Sequence, residues 1–109
     1  MDCVFCKIIK KELPSTIVYE SDSVLAFEDI NPKAPVHILI VPKKHIVSFA
    51  ALENEDKNLI ADLMFAAKEI AKEKNLKGYK LIINVGREGG QIIDHLHLHL
   101  LSGKPMKLP

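Results

Sequence analysis

The stretch His95-Leu96-His97-Leu98-His99-Leu100-Leu101 decides how this chain is read. Three of the five histidines fall here, alternating with leucine. Successive side chains of a β-strand point to opposite faces, so positions 95, 97 and 99 are expected on one side and the leucines on the other. The leucine side is enough to build a core. A merely half-exposed strand would carry β-formers such as Thr on its second face, so three imidazoles there point to chemistry. A neutral imidazole serves as a nucleophile, as an acid or base near neutral pH, or as a metal ligand.

Upstream, Gly86-Arg87-Glu88-Gly89-Gly90-Gln91 forms a glycine-rich loop leading into the histidine strand. Such a loop either aims backbone N–H groups at an anion or is an ordinary turn, and it lacks the Gly-Lys-Ser/Thr of a P-loop. Before it, Tyr79-Lys80-Leu81-Ile82-Ile83-Asn84 reads as a strand, with Asn84 at its exit to hold a phosphate oxygen or cap the turn. From about Asn54 to Leu76 the apolar positions Leu59, Ile60, Leu63, Ala66, Ala67, Ile70 and Ala71 recur at helical spacing. Asn54 is the expected N-cap of this long helix and Gly78 its stop.

Towards the N-terminus, Val36–Val41 reads as a strand buried on most of both faces and stopped by Pro42, with two prolines in the loop Asp29–Pro35 before it. Ile17–Tyr19 and Val24–Phe27 form a hairpin through Glu20–Ser23. A short helix over about 4–12, capped by Asp2, buries Phe5, Ile8 and Ile9. Five strands with one long and one short helix describe an α+β domain, and the strand-to-strand links that contain no helix argue for a mainly antiparallel sheet.

The 109 residues suit a single domain over 1–109. Hydrophobic residues at 48% and charged residues at 27% are those of an ordinary globular protein, and a net charge of +1 gives no global attraction to a nucleic acid polymer or a membrane. No apolar run approaches the roughly 20 residues of a membrane span, and Met1-Asp2-Cys3 does not begin a signal peptide. The expected compartment is therefore the cytoplasm, where Cys3 and Cys6 are reduced thiols or metal ligands rather than a disulfide. Cys3-x-x-Cys6 is half of a zinc site, or else a pair of small buried side chains. Five histidines are available to complete it, and spacing alone does not choose among them. His37, inside an apolar strand, reads as an orienting or satisfied core histidine. Phe5, Ile8, Phe27 and Ile30 read equally as core or as walls of a pocket for a flat base.

The histidine stretch resembles the His-φ-His-φ-His-φ-φ signature (φ apolar) of the histidine triad (HIT) superfamily. Phe5-Cys6-Lys7-Ile8-Ile9, Ala26–Pro32, Ala34–Ile46 and Gly89-Gly90-Gln91 look like its histidine triad nucleotide-binding (Hint) branch, so the resemblance spans nearly the whole chain. It implies a five-stranded antiparallel sheet with one long and one short helix, paired as a two-fold homodimer. It also implies a hydrolase acting on purine mononucleotide conjugates, such as adenosine 5′-monophosphoramidate. In that reading His97 attacks the α-phosphorus to form a nucleotidyl-histidine, His99 assists the leaving group, and His37 and the His95 backbone orient the nucleophile. Asn84, Gly90 and Gln91 hold the phosphate, Asp29 accepts the ribose hydroxyls, and Val4, Phe5, Ile8, Phe27 and Ile30 enclose the base. Members with the same N-terminal Cys-x-x-Cys bind structural zinc through residues that correspond to Cys3, Cys6, His45 and His95. The chain departs from the branch at Ile92, where serine is usual, and in the tail Lys104–Pro109, which lacks a common tryptophan. A dinucleoside polyphosphate hydrolase and a nucleotide-binding adaptor with vestigial catalysis are the alternatives.

Overall fold

A computed structural model describes residues 3–104; Asp2 and residues 105–109 of the tail lie outside them. The elements are α1 (Val4–Ile9), β1 (Ile17–Glu20), β2 (Val24–Glu28), β3 (Val36–Pro42), α2 (Lys57–Glu73), β4 (Lys80–Ile82) and β5 (Leu98–Ser102). The strands form one antiparallel sheet in the order β1-β2-β3-β5-β4. The expected α+β class and five-stranded sheet are therefore present. Among the described residues no helix is long and apolar enough to cross a membrane.

The interior strands β2, β3 and β5 are buried because each face of the sheet is covered. On one face Val24, Ala26, Ile38, Ile40, Leu96, Leu98 and Leu100 pack against Leu63, Ala66, Ala67, Ile70 and Ala71 of α2. On the other, Leu25, Phe27, Leu39 and Val41 pack against Cys3, Phe5 and Ile8 in and beside α1. The period of two in the strands and of 3.6 in α2 thus meet in one core.

Several boundaries differ from those expected. Helix α1 ends at Ile9, not near residue 12, because Lys11 takes a left-handed conformation (φ 64°) while Lys11 N–H and Glu12 N–H donate to the Ile8 and Lys7 carbonyls. This is a Schellman stop built without glycine. The N-cap is Cys3, whose Sγ accepts from Cys6 N–H at 3.3 Å. The same motif ends α2: Asn75 (φ 54°) supplies the left-handed residue and Leu76 N–H donates to the Ala71 carbonyl, so Asn75 and not Gly78 is the stop. At its start, Asn54 belongs to a 3₁₀ turn, Asn54–Asp56, in which the Asp56 carboxylate accepts from Glu53 N–H at 3.0 Å. Pro42 ends β3 from within, paired with Val24, where a missing N–H is harmless. Strand β4 is Lys80–Ile82, shorter than Tyr79–Asn84. Pairing in β5 begins only at Leu98, so His95 and His97 lie on an extended approach pinned by Leu96 N–H to the Ile46 carbonyl at 2.7 Å. The alternation persists through that approach, with leucines on the α2 side.

Candidate active site and metal centre

The three imidazoles of the approach and β5 line the α1 side of the sheet. His97 and His99 have ring centroids 4.9 Å apart, and Phe5 of α1 packs edge-on against His95 (5.8 Å) and His97 (5.2 Å). Each ring has a distinct set of partners, and those partners assign its protons.

His97 Nδ1–H donates to the carbonyl of His95 at 2.8 Å. Its Nε2 therefore carries a lone pair, the form required of a nucleophile. For His37, the backbone N–H of Lys33 donates to Nδ1 at 3.0 Å, which puts the ring proton on Nε2. Nε2–H faces His99 Nδ1 at 3.0 Å, with Asp29 Oδ2 at 3.4 Å. His99 Nδ1 is then the acceptor and His99 Nε2 the protonated nitrogen. That Nε2 is buried without a hydrogen-bond partner among the described residues. Burial, together with the neighbouring His97 and His37, lowers the pKa of His99 to about 4, and burial also lowers His37 against the pull of Asp29. Both rings are neutral at pH 7.

Asp29, His37 and His99 bring three potential ligand atoms within 4.8 Å of one another. The Lys33 N–H nevertheless keeps the proton on His37 Nε2, so this trio is a hydrogen-bond relay and not a metal site.

The second cluster differs in this respect. Cys3 Sγ, Cys6 Sγ, His45 Nδ1 and His95 Nδ1 also lie within 4.8 Å of one another. His95 Nε2–H donates to the Pro42 carbonyl at 2.8 Å, which leaves Nδ1 unprotonated toward the thiols. Nδ1 of His95 stands 3.4 Å from Cys3 Sγ, 3.7 Å from Cys6 Sγ and 3.1 Å from His45 Nδ1, and Cys6 Sγ stands 3.3 Å from His45 Nδ1. A tetrahedral ion bound by sulfur at about 2.3 Å and by nitrogen at about 2.0 Å sets sulfur–nitrogen edges of about 3.5 Å and nitrogen–nitrogen edges of about 3.3 Å. The four donors fit such an ion. Burial lowers the pKa of His95, opposed by the Pro42 hydrogen bond, while burial and the adjoining Cys3 push the Cys6 thiol up. Cys3 and Cys6 are free thiols here, and metal capture must displace their protons.

The glycine loop follows from its backbone: Gly86 (φ 70°) and Gly90 (φ 89°) bracket a 3₁₀ turn, Arg87–Gly89, in conformations costly for other residues. Asn84 abuts it, since a Cβ on Gly90 would lie 3.9 Å from the Asn84 amide carbon. Gln91 has a different part from the expected phosphate contact. The residue is 2% exposed, and its side chain accepts from Gly86 N–H at 2.9 Å and donates to the Val47 and Ile93 carbonyls at 2.7 and 2.9 Å. Gln91 holds the loop in place rather than reaching outward. Gln91→Glu keeps the shape but sets a carboxylate against two carbonyls, and is expected to destabilise the fold by about 1–3 kcal/mol. Urea unfolding of the two proteins checks this.

Among the residues expected to enclose a base, Phe5, Ile8 and Phe27 are buried core that floors the site. Val4 is exposed, and Ile30 is 89% exposed. Ile92 is 83% exposed just beyond Gln91 and offers no donor. Some contributors carry no side-chain signal in sequence, namely the Lys33 N–H and the Pro42, Ile46 and Val47 carbonyls. The Arg87–Asp94 ion pair (3.0 Å) across the loop was missed; opposite charges flanking a glycine turn were its only sign.

The shift on His99 has a consequence for pH. Its folded pKa lies below the ordinary 6.5, so the unfolded chain binds more protons between about 6.5 and about 4. Stability contributed by the neutral buried ring is complete above 6.5 and lost as pH falls toward 4. Melting curves over that range are expected to fall less steeply for His99→Asn than for the natural chain.

Residues 2–108 match the family described as "Scavenger mRNA decapping enzyme C-term binding". A 14 kDa zinc-binding protein of Zea mays is 48% identical over 109 residues, which span 97% of this chain and 85% of that protein. The crystal structure of a HIT family hydrolase from Legionella pneumophila superposes with a TM-score of 0.95 at 45% identity, covering 99% of this chain and 98% of that one. A histidine triad protein from Clostridium difficile gives 0.96 at 47% identity, covering 100% and 96%.

Proposed function

The chain belongs to the histidine triad superfamily, and on that premise we propose that it is a hydrolase of purine nucleotide conjugates working through a nucleotidyl-histidine intermediate. The observation that carries this reading is the pairing of opposite neutral tautomers on adjacent rings. His97 presents an Nε2 lone pair, and His99 presents an unpartnered Nε2–H.

In the reaction, His97 Nε2 attacks the α-phosphorus and a P–N bond forms as the bond to the leaving group breaks. His99 Nε2–H donates a hydrogen bond to the phosphoryl oxygens and the departing group. In a phosphoramidate that group takes up a solvent proton and leaves as the free amine; the water that attacks in the second step returns that proton. The hydrogen bond from His97 Nδ1 to the His95 carbonyl stabilises the positive charge that develops on the ring. Water then attacks the same phosphorus, releasing the mononucleotide and restoring His97. Division into two displacements replaces one difficult step by two easier ones. The Asn84 amide beside Gly90 holds the phosphate, and Asp29 retains acceptor capacity for ribose hydroxyls beside its bond from Asn31 N–H. Val4 and Ile30 close over the base above the Phe5 and Phe27 floor.

Cys3, Cys6, His45 and His95 would hold zinc, a reading supported by the donor geometry and by the name of the maize relative. Zinc supplies a structural cross-link there. Reduced cysteines of this kind accord with the cytoplasm. A homodimer is supported by the free edge of β4, with Leu81 and Tyr79 partly exposed, and by Phe65 exposed on α2. Light scattering at micromolar concentration is expected to give twice 12.2 kDa, and the monomer mass would refute the pairing.

The exposed Ile92 favours one competing reading, an adaptor that binds nucleotide with little turnover. A panel comparing adenosine 5′-phosphoramidate with a dinucleoside polyphosphate separates the cases. Faster turnover of the phosphoramidate supports the proposal. Faster turnover of the polyphosphate, or binding without turnover, contradicts it.

A further inference from the structure

His95 belongs to both clusters at once. Its Nδ1 faces the cysteine thiols, while its carbonyl accepts the Nδ1–H of His97 at 2.8 Å. The helix that carries the cysteines also carries Phe5, whose ring packs against His97. Contacts that hold α1 to residues 42–46 and to His95 therefore also orient the nucleophile's ring, beside the anchoring of its backbone by Leu96. The two cysteines differ in access: Cys3 is buried, whereas Cys6 is half-buried. Their Cys-x-x-Cys spacing is that of dithiols that close to a disulfide, and Cys6 N–H already donates to Cys3 Sγ.

We propose that Cys3 and Cys6 form an oxidation site at which a hydroperoxide closes a disulfide, expels the metal and releases His95, so that His97 loses its fixed orientation. The inference rests on the zinc reading given above. The metal-bound form keeps both sulfurs as thiolates, the reactive state. The Cys6 thiolate attacks one peroxide oxygen; the O–O bond breaks, hydroxide leaves and a sulfenic acid forms. The Cys3 thiolate then attacks the Cys6 sulfur; the S–S bond forms and the S–O bond breaks with loss of a second hydroxide. Two solvent protons convert the hydroxides to water. Two thiolates are oxidised by two electrons in all, and one peroxide is reduced to two waters. His45 and His95 alone cannot retain the ion against dilution, and the link between α1 and the catalytic approach is lost.

The test uses the full-length protein loaded with zinc and titrated with hydrogen peroxide. Free thiols, zinc released to a chromogenic chelator, the His97 ring resonances in NMR spectra and turnover of a phosphoramidate are followed in the same samples. Two thiols are expected to disappear per zinc released, with the His97 resonances shifting or broadening in step. Turnover is expected to fall several-fold, and a thiol reductant with added zinc should restore all four readings. The proposal is overturned if the thiols survive peroxide that oxidises the methionines, or if the cysteines proceed irreversibly to sulfinic acid. It is equally overturned if zinc leaves while His97 is unchanged, or if the loaded protein fails to retain zinc on buffer exchange. Absence of turnover from the outset counts against the enzymatic reading alone, since thiols, zinc and resonances still decide the switch.

Discussion

His97→Ala is expected to lower phosphoramidate turnover by at least about 10³-fold while nucleotide affinity changes only a few-fold. The asymmetry follows from what the ring does. Its Nε2 makes no hydrogen bond among the described residues, so its removal takes away the attacking atom and leaves the phosphate loop, Asn84 and Asp29 intact. The approach stays anchored by Leu96 and Leu98 in the α2 core and by the bond from Leu96 N–H to Ile46. His97→Asn, whose amide can still donate to the His95 carbonyl, keeps that geometry without the nucleophile and is expected to be equally inactive. Steady-state rates beside calorimetric nucleotide binding check both variants. More than a few per cent of the natural rate in either would remove His97 from the nucleophilic role.

The second large effect concerns the cross-link at the other end of His95. Cys6→Ser is expected to abolish stoichiometric zinc and to lower the melting temperature by roughly 10 °C or more, taking a loss of about 2–3 kcal/mol for a domain of this size. The cost stops short of unfolding because the α2 core does not depend on the metal. Activity is expected to fall without vanishing, since His97 is not a ligand. Zinc affinity of the natural chain should weaken as pH falls, because thiolates and neutral imidazoles are lost on protonation. Elemental analysis with parallel melting curves decides the matter. A natural chain without zinc, or a Cys6→Ser variant that keeps both metal and stability, would contradict it.

The residues that could be read in sequence are those whose side chains carry a period or a chemistry. Alternation in 95–101 placed three imidazoles on one side of the sheet, and helical spacing from Leu59 to Ala71 placed the face that covers the other. The two-residue half of a zinc site was visible, but its completion by His45 and His95 needed either the family likeness or the fold, because 39 and 89 residues separate Cys6 from them. Contributions made by the backbone left no mark. The Lys33 N–H that fixes the His37 proton, and through it that of His99, occupies a position any non-proline residue could fill. Helix ends at Lys11 and Asn75 were misplaced because residues other than glycine adopted left-handed conformations there. Gln91 was expected at the phosphate from the family likeness alone; its burial shows that three backbone groups already engage its side chain.

The central claim is a covalent bond between His97 and the nucleotide, and rapid-quench mass spectrometry addresses it directly. Protein mixed with excess adenosine 5′-phosphoramidate and quenched within one turnover should carry one adenylyl group, mapped by fragmentation to His97 and absent from His97→Ala. Turnover with no such adduct, or an adduct on another residue, would contradict the account.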